Sequence, residues 1–348
     1  MKSPSVRARR GARPWLLSLP LLLGSASWAQ TQNPRFVAPV GRLQKVWTGG
    51  THTEGVASAP NGTIYFCDVT PTDMPGPLAA GHIYRFIPST GQTTIFRSPA
   101  NQANGMKFDA QGRMIVAESA DGGGRRVTRT DMTTGKSEVV AARFQNRALN
   151  SVNDVTLDPQ GRIYFSDPRY DGLEPIEQPV QGIYRVDLDN SVHLIIADVV
   201  PNGLAVSPDG RTLYVSQFDV GATDTRNLPP DAVRRRVMRL LAYDLKPDGT
   251  AGKQRVLVDY GADLGADGLV LDARSNIYAA VGAVGREGVR VYSPTGQLLD
   301  TIRTPETPTN MAFGRGTESR TLYITAGTSL YRVQTRFAGY ASPVGAPR

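Results

Sequence analysis

Short apolar strands separated by glycine-bearing turns recur along most of the chain. Each copy starts with a polar residue and a short apolar strand, turns at Gly or Asn, and returns as an aromatic-aliphatic strand. The copies start at Glu54, Asn104, Asn153, Asn202, Asp267 and Asn310. These starting residues are 50, 49, 49, 65 and 43 positions apart. Six copies of short strands near a 50-residue period predict an all-β fold, a six-bladed β-propeller.

The last copy is one strand short, and a strand-like segment precedes the first copy. After the third strand of the sixth copy, at 329–333, little chain remains, whereas Leu43–Thr48 has no neighbouring strands of its own. We expect this N-terminal strand to complete the last blade and remove the open sheet edges. The predicted propeller occupies residues 41–336, between a linker at 30–40 and a tail at 337–348.

The first 29 residues predict a secretory signal peptide. They contain five cations and no acid, then the apolar run Trp15–Leu23, and Ser27-Trp28-Ala29 ahead of a cleavage point. The apolar run is too short to span a membrane, and no later segment resembles a span. We therefore expect a periplasmic or secreted protein. A twin-arginine signal at Arg9-Arg10 stays open as the export route.

The basic charge of the chain comes largely from this leader. Without its five cations, the formal net charge falls from +8 to +3, which removes the argument for a nucleic-acid partner. One cysteine, Cys67, excludes a disulfide framework, and its place on a strand predicts a buried core thiol. The three histidines are far apart in the sequence and form no metal motif.

The six starting residues are the candidate chemistry. In a propeller each precedes the innermost strand of its blade, so together they ring one mouth of the central channel. Their oxygens suit Ca²⁺ or Mg²⁺, and Mn²⁺ less specifically, and the ring contains no histidine. Glu54 and Asp267 supply two negative charges. The alternative is that these side chains only cap turns and bond adjacent backbone.

Long loops are expected on the same face of the propeller as this ring. They connect the second and third strands of their blades at 68–81, 167–181 and 216–236. Long loops around a channel mouth are typical walls of a binding site, although they could be surface insertions. The ring and its loops predict a small-molecule substrate, and the sequence does not address the oligomeric state.

Five segments in the same order resemble a known family. They are Glu54-Gly55, Asn153-Asp154, Pro201-Asn202-Gly203, Ala266-Asp267-Gly268 and Pro308-Thr309-Asn310. Over roughly residues 40–335 the chain is similar to the gluconolactonase, regucalcin (senescence marker protein) and luciferin-regenerating enzyme family. The segment 164–170 looks particularly like bacterial gluconolactonases.

The resemblance implies a divalent metal, commonly Ca²⁺, with Mg²⁺, Mn²⁺ or Zn²⁺ as alternatives. The family's ligands match Glu54, Asn202 and Asp267, and the residue matching Asn153 contacts substrate or completes the metal shell. The residue matching Asp267 is the family's proposed acid/base or nucleophile. An acid that touches a metal has a low pKa, so we expect Asp267 to be ionised near neutral pH.

Other polar residues extend the candidate site. Asn104 and Asn310 are expected to lie outside the metal's direct ligands or to bind water, and Asn104 is also a candidate substrate contact. Animal regucalcins place a substrate-binding arginine where this chain has Ser151. Arg169 could supply that cation or could be an exposed, solvated loop residue. Two further candidates are His52, as a proton shuttle, and the arginine run 234–236, which could attract an anionic substrate. The alternative is that His52 is a surface histidine and that the arginine run is solvated.

These observations predict an exported, metal-dependent lactonase, a hydrolase that opens the ring of a sugar-acid or related lactone. Asp267 would activate water or attack the carbonyl carbon directly. A phosphotriesterase or other ester hydrolase on the same metal site is one alternative. A non-catalytic binding propeller is the other, because fold alone does not determine function.

Overall fold

The structure is a computed structural model that describes residues 35–38, 41–70, 81–221 and 236–340. Within these ranges the chain forms six four-stranded antiparallel sheets and one short hairpin. The described ranges contain one short helix, the 3₁₀ turn Gly316–Glu318. The all-β, six-bladed propeller predicted from the repeat is confirmed.

The strands follow the blades in chain order. The first three blades comprise β2 (Thr53–Ser58), β3 (Ile64–Asp68), β4 (His82–Ile87) and β5 (Gln92–Arg97); β6 (Ala103–Phe108), β7 (Met114–Glu118), β8 (Arg126–Thr130) and β9 (Ser137–Ala141); and β12 (Val155–Leu157), β13 (Ile163–Asp167), β14 (Gly182–Val186) and β15 (Val192–Ile196). The hairpin β10 (Arg143–Phe144) and β11 (Arg147–Ala148) lies between the second and third blades in the sequence.

The last three blades complete the ring. They comprise β16 (Pro201–Val206), β17 (Thr212–Asp219), β18 (Val237–Leu245) and β19 (Ala251–Asp259); β20 (Ala266–Leu271), β21 (Ile277–Val281), β22 (Gly288–Tyr292) and β23 (Leu298–Arg303); and β24 (Pro308–Phe313), β25 (Thr321–Ala326), β26 (Ser329–Gln334) and β1 (Gln44–Thr48).

The N-terminal strand closes the sixth blade, as predicted. Strand β1 pairs antiparallel with β26, with Gln44 opposite Arg332 and Thr48 opposite Ser329. The sixth blade therefore gains its outermost strand from the beginning of the chain, and the edge of β26 is covered.

Packed chain continues on both sides of the predicted 41–336 boundaries. Phe36 and Val37 are buried, and the Phe36 N–H donates to Asp300 Oδ2 at 2.8 Å. At the other end, Gly339 bridges to Asp272, and the Tyr340 N–H donates to the Leu271 carbonyl at 2.9 Å. Parts of the predicted linker and tail thus pack against the fifth and sixth blades. The predicted signal peptide lies outside the described residues.

Glycines set the spacing of the innermost strands. A Cβ on Gly55 would lie 1.8 Å from the Asn104 carbonyl oxygen, and one on Gly203 would lie 2.3 Å from the Asp267 carbonyl oxygen. One on Gly268 would lie 2.6 Å from Asn310 Cγ. Any side chain there would push neighbouring blades apart. This explains why a small residue so often follows the polar residue that begins each copy.

Apolar clusters fill the space between neighbouring blades. Between the third and fourth blades, for example, Tyr164 and Ile183 pack with Leu204, Leu213 and Leu241, all of them buried. Cys67 lies in the first of these interfaces, fully buried, with its Sγ donating to the Asn104 carbonyl at 3.0 Å. The predicted core thiol is confirmed. Across the described ranges, no helix combines the length and hydropathy needed to cross a bilayer.

Candidate active site

The strand register places the ring residues and the strand ends that lead into the long loops on one face. In the first blade Thr53, which begins the innermost strand, pairs with Asp68, which in turn pairs with His82. The end of the second strand and the start of the third therefore lie beside the start of the innermost strand. Of the three predicted walls, 167–181 is described in full. In the walls at 68–81 and 216–236, residues 71–80 and 222–235, with Arg234 and Arg235, lie outside the described residues.

Asp267 is the centre of the charge at this mouth. Its side chain is hydrogen-bonded to the Asn202 side chain. Burial, and then the nearby charges of Glu54 and Asp154, raise the pKa of Asp267 well above its usual value, and only the Asn202 hydrogen bond opposes the rise. The low pKa expected for Asp267 applies to an acid in contact with a metal and stays a prediction. The structure brings together three predicted residues and one that was not predicted.

Glu54 lies at the start of the first innermost strand and is 5% exposed. One carboxylate oxygen accepts from the Gly55 N–H at 3.1 Å, and the other lies 3.6 Å from His52 Nε2. Glu54 raises the pKa of His52 mainly through this contact. The His52 side chain is 54% exposed, so it contacts both the solvent and the buried Glu54 carboxylate.

Asp154 is a ring carboxylate that sequence reasoning missed. It is 1% exposed, and its two oxygens accept from the Val155 N–H at 2.8 Å and the Leu204 N–H at 3.3 Å. Burial raises its pKa, and the charge of Lys107 opposes the rise. A signal was present in the sequence: Asp154 follows the ring residue of its copy, where four other copies have Gly.

Tyr170 is the second residue that was missed. Its hydroxyl donates to the Pro201 carbonyl at 3.1 Å and is hydrogen-bonded to the Asn202 side chain. Burial, then the charges of Asp267 and Asp219, raise the pKa of Tyr170 well above its usual value, so the phenol stays protonated. It therefore holds Asn202 against Asp267. The segment 164–170 was noticed as a family resemblance, but nothing in it indicated this contact.

The remaining ring asparagines are held through different contacts. The Asn153 backbone N–H donates to the Ser166 carbonyl at 3.0 Å, and its carbonyl accepts from the Gly105 N–H at 2.8 Å. Asn310 is 2% exposed, and its side-chain oxygen accepts from the Met311 N–H at 2.8 Å. Asn310 therefore adopts the backbone-capping role that was the alternative for the ring. Asn104 and Asn153 are each 9% exposed.

Arg169 is a buried loop residue and not an exposed one. It is 2% exposed, and its guanidinium donates to the carbonyls of Asn150, Gly172 and Glu174 and to the Glu174 carboxylate at 3.2 Å. These bonds hold the 168–181 loop against the third blade. A substrate contact by Arg169 finds no support in this placement, because the guanidinium is enclosed by its own loop.

Two aspartates fix the backbone that leads into the ring. Asp68 Oδ1 accepts from the N–H groups of Thr51 and His52 at 2.7 and 2.9 Å. Asp167 accepts from the N–H groups of Asn150 and Ser151, each at 2.8 Å. Burial raises the pKa of Asp167 to about 7, and the two N–H donors oppose the rise. Each aspartate thus orients the segment that precedes a ring residue.

The oxygen set at the mouth suits a divalent cation. Among the described residues, no three His, Cys, Asp or Glu side chains meet closely enough to hold a metal by themselves. The set that does gather is mixed: Asp267, the charges of Glu54 and Asp154, and the Asn202 amide. Burial, and then the neighbouring carboxylates, raise the pKa of Asp267. A cation beside it would favour the ionised carboxylate, and hard cations take carboxylate and amide oxygens together.

The fold and this ring define a class: a six-bladed propeller with an acid-and-amide site at one channel mouth. The chain belongs to the SMP-30/gluconolactonase/LRE-like family, whose family model matches residues 52–328. The family resemblance read from the sequence is confirmed.

Two relatives illustrate the similarity in sequence. A gluconolactonase of Zymomonas mobilis is 31% identical over 259 residues, which cover 70% of this chain and 65% of the relative. The chain thus aligns with just under two thirds of that protein's length. A 6-deoxy-6-sulfogluconolactonase of Pseudomonas putida is 30% identical over 72% of this chain and 77% of its own length.

Solved structures agree with the fold. A gluconolactonase of Xanthomonas campestris superposes with a TM-score of 0.71 at 26% identity, over 87% of this chain and 95% of that protein. A calcium-binding regucalcin of Agrobacterium tumefaciens gives a TM-score of 0.67 at 20% identity, over 88% and 97%. The second comparison bears on the fold alone.

Proposed function

We propose that this protein is a lactonase, a hydrolase that opens the ring of a lactone to give a hydroxy acid. One observation carries the proposal: Asp267 is hydrogen-bonded to Asn202 and close to two further carboxylates, at the looped mouth of the channel. The family membership and the gluconolactonase and sulfogluconolactonase relatives support this activity.

We further propose a resident divalent cation, most simply Ca²⁺, with Mg²⁺, Mn²⁺ and Zn²⁺ as alternatives. Glu54, Asn202 and Asp267 would hold it, and Asn153 would complete the shell or contact substrate. When bound, such a cation polarises a carbonyl and stabilises the negative charge that develops on its oxygen. The crowded carboxylates around Asp267 support this assignment.

Asp267 acts either as the general base or as the nucleophile. Beside a cation its carboxylate is ionised, and it then removes a proton from water as the water oxygen bonds to the lactone carbonyl carbon. The ring C–O bond breaks next, and the proton passes from Asp267 to the alkoxide that leaves. In the alternative, Asp267 attacks the carbonyl carbon itself, the ring C–O bond breaks, and the alkoxide that leaves takes a proton from water. The hydroxide then attacks the Asp267 carbonyl carbon of the resulting mixed anhydride, which releases the hydroxy acid and restores the carboxylate. Single turnover in ¹⁸O-labelled water separates the two, because only the second route labels Asp267.

Among the described residues, two positions considered for a substrate-binding cation do not place one at the mouth. Ser151 replaces the arginine of animal regucalcins, and its hydroxyl accepts from the Ala120 N–H at 2.9 Å. Arg169, a second candidate cation, is buried and donates to backbone carbonyls such as that of Asn150. We therefore propose an uncharged lactone, and a periplasmic or secreted location on the strength of the N-terminal sequence.

A substrate screen tests the proposal. Acid release would be followed by pH-stat for aldonolactones, aliphatic lactones and phosphotriesters, with the metal-loaded protein and after chelation. We expect turnover of one lactone class that stops on chelation and returns with Ca²⁺. Phosphotriester turnover without lactone turnover would favour the other hydrolase, and no turnover of any substrate would favour a non-catalytic propeller.

A further inference from the structure

A second cavity lies at the opposite end of the central channel from Asp267. It has a volume of about 110 Å³ and is lined by residues near the end of each innermost strand, whereas the ring residues stand at or near the start of the same strands. Leu204, Leu271 and Met311 give it an apolar wall, and Gly339 and Tyr340 lie across its outer side. None of the residues that line it is Asp154 or one of the six ring residues.

Two polar groups in this cavity are buried without a partner. Among the described residues, neither Lys107 Nζ nor Ser58 Oγ has a hydrogen-bond partner, and both atoms are out of contact with solvent. An unpartnered ammonium in an apolar cavity is costly, since a buried charge loses its hydration. The Lys107 ammonium group therefore has no hydrogen-bond acceptor among the described residues.

The cavity also carries a second cation and no acid. Arg315 lines it and donates from Nε to the Ser58 carbonyl at 3.1 Å. None of the described residues that line the cavity is Asp or Glu. The nearby carboxylate, Asp154, feels the charge of Lys107, but its oxygens accept from the Val155 and Leu204 N–H groups and form no ion pair with Lys107. The cavity thus presents positive charge on an apolar background.

We propose that this cavity is a second ligand site, which binds a short-chain carboxylate. The carboxylate would accept hydrogen bonds from Lys107 Nζ, Ser58 Oγ and the free side of the Arg315 guanidinium, while its alkyl chain contacts Leu204, Leu271 and Met311. A dry protein cavity of roughly 150 Å³ holds a benzene molecule, so this smaller one fits an acid of about four carbons. The apolar wall favours an alkyl carboxylate over phosphate, which is polar on every side.

Calorimetric titration with butyrate tests the site, using butyramide as the neutral analogue. We expect butyrate binding that persists after chelation, because the proposed metal lies at the other mouth, and no binding of butyramide. Lys107→Met keeps most of the length of the side chain and removes its charge. It should weaken butyrate binding about tenfold or more, the loss expected for a charge-assisted hydrogen bond. The matched control Lys136→Met, on an exposed turn, should bind butyrate as the parent does.

A second variant acts by volume and not by charge. Val270→Phe adds a ring to the cavity wall and leaves all three polar groups in place, so it should also abolish butyrate binding. Thermal unfolding of both variants shows that they are folded. Absence of butyrate binding to the parent, loss of binding on chelation, or unchanged binding in either variant would overturn the proposal. None of these outcomes bears on lactone hydrolysis, which is assayed separately.

Discussion

The two ends of the central channel are built from the same six strands and differ in almost every chemical respect. At the starts of the strands, Glu54, Asp154 and Asp267 bring three carboxyl groups near one another. Near their ends, Lys107 and Arg315 lie in an apolar cavity, and the connections are short turns. The glycine-spaced strands fix the diameter of the channel, whereas the residues at each end determine its chemistry.

Both ends use aspartate to order backbone, with different consequences. At the end with the apolar cavity, Asp109 Oδ1 accepts from the N–H groups of Gln111 and Arg113 at 3.0 and 2.9 Å. The other Asp109 oxygen pairs with Arg113 at 2.7 Å. At the looped end, Asp167 accepts two N–H groups but is fully buried. The same kind of hydrogen bonding therefore stabilises a turn at one end. At the other end it makes the contribution of Asp167 to stability depend on pH.

Asp267→Asn should have the largest effect and should act at the looped end alone. The amide keeps an oxygen of similar size but cannot accept a proton or attack a carbonyl, so lactone hydrolysis at saturating Ca²⁺ should fall about 10²–10⁴-fold. Steady-state kinetics of hydrolysis measure the loss. Asn104→Ala, at an equivalent ring position, and Lys107→Met, at the other end, should cost much less. Parent-like activity in Asp267→Asn would remove this residue from the mechanism.

Glu54→Gln should weaken the binding of Ca²⁺ without unfolding the protein. It removes one negative charge from the ring and keeps the length of the side chain, so we expect a loss of affinity of about tenfold or more. Calorimetric titration with Ca²⁺ measures the change. Glu138→Gln, on an exposed strand position, serves as the control. Equal affinities in the two variants would contradict the assignment of the metal to this end.

Asp167 should make stability depend on pH between about 4 and 7. Its pKa is raised from 3.8 to about 7 by burial, so the folded protein binds a proton that the unfolded chain releases across this interval. The stabilisation is complete below pH 4 and is lost as pH rises to 7, on the order of 2 kcal/mol between pH 5 and pH 7. Denaturant unfolding at several pH values measures it. Asp167→Asn should flatten the dependence, and an unchanged slope would disprove the prediction.

Asp109→Ala should have the smallest effect and none on chemistry. The turn loses an acceptor for two N–H groups and the partner of Arg113, so the free energy of unfolding should fall by about 1 kcal/mol. Denaturant unfolding measures the loss, and hydrolysis should keep its parent rate. A drop in hydrolysis similar to that of a ring variant would show that the two ends are coupled.

Periodicity made most of the fold predictable. The six polar starts near a 50-residue period indicated six blades, and the missing strand of the last copy indicated where Leu43–Thr48 would pair. Both inferences depend on repetition, which a single sequence displays. The packing of Phe36 and Val37 has no counterpart in another copy, and the sequence alone gave no reason to extend the propeller to them.

The site was predictable only where it followed the repeat. Glu54, Asn202 and Asp267 occupy repeated positions, and the structure brings them together. Asp154 stands one position later, so a comparison restricted to the ring position passes over it. Arg169 depends on carbonyls that its own loop presents, and these become apparent only when the loop is folded.

The strand that seals the sixth blade has a consequence for the speed of folding. Arg332 Nε donates to Gln44 Oε1 at 3.0 Å across 288 positions of sequence, whereas the hairpins of the first five blades join residues that are close neighbours along the chain. Contacts between distant residues carry a large loop-closure entropy and slow the transition in which they form. We therefore expect the blades to assemble early and the ring to close in a late, rate-limiting event. A nascent chain would therefore become resistant to proteolysis only after its last strand, β26, has been synthesised and has paired with β1.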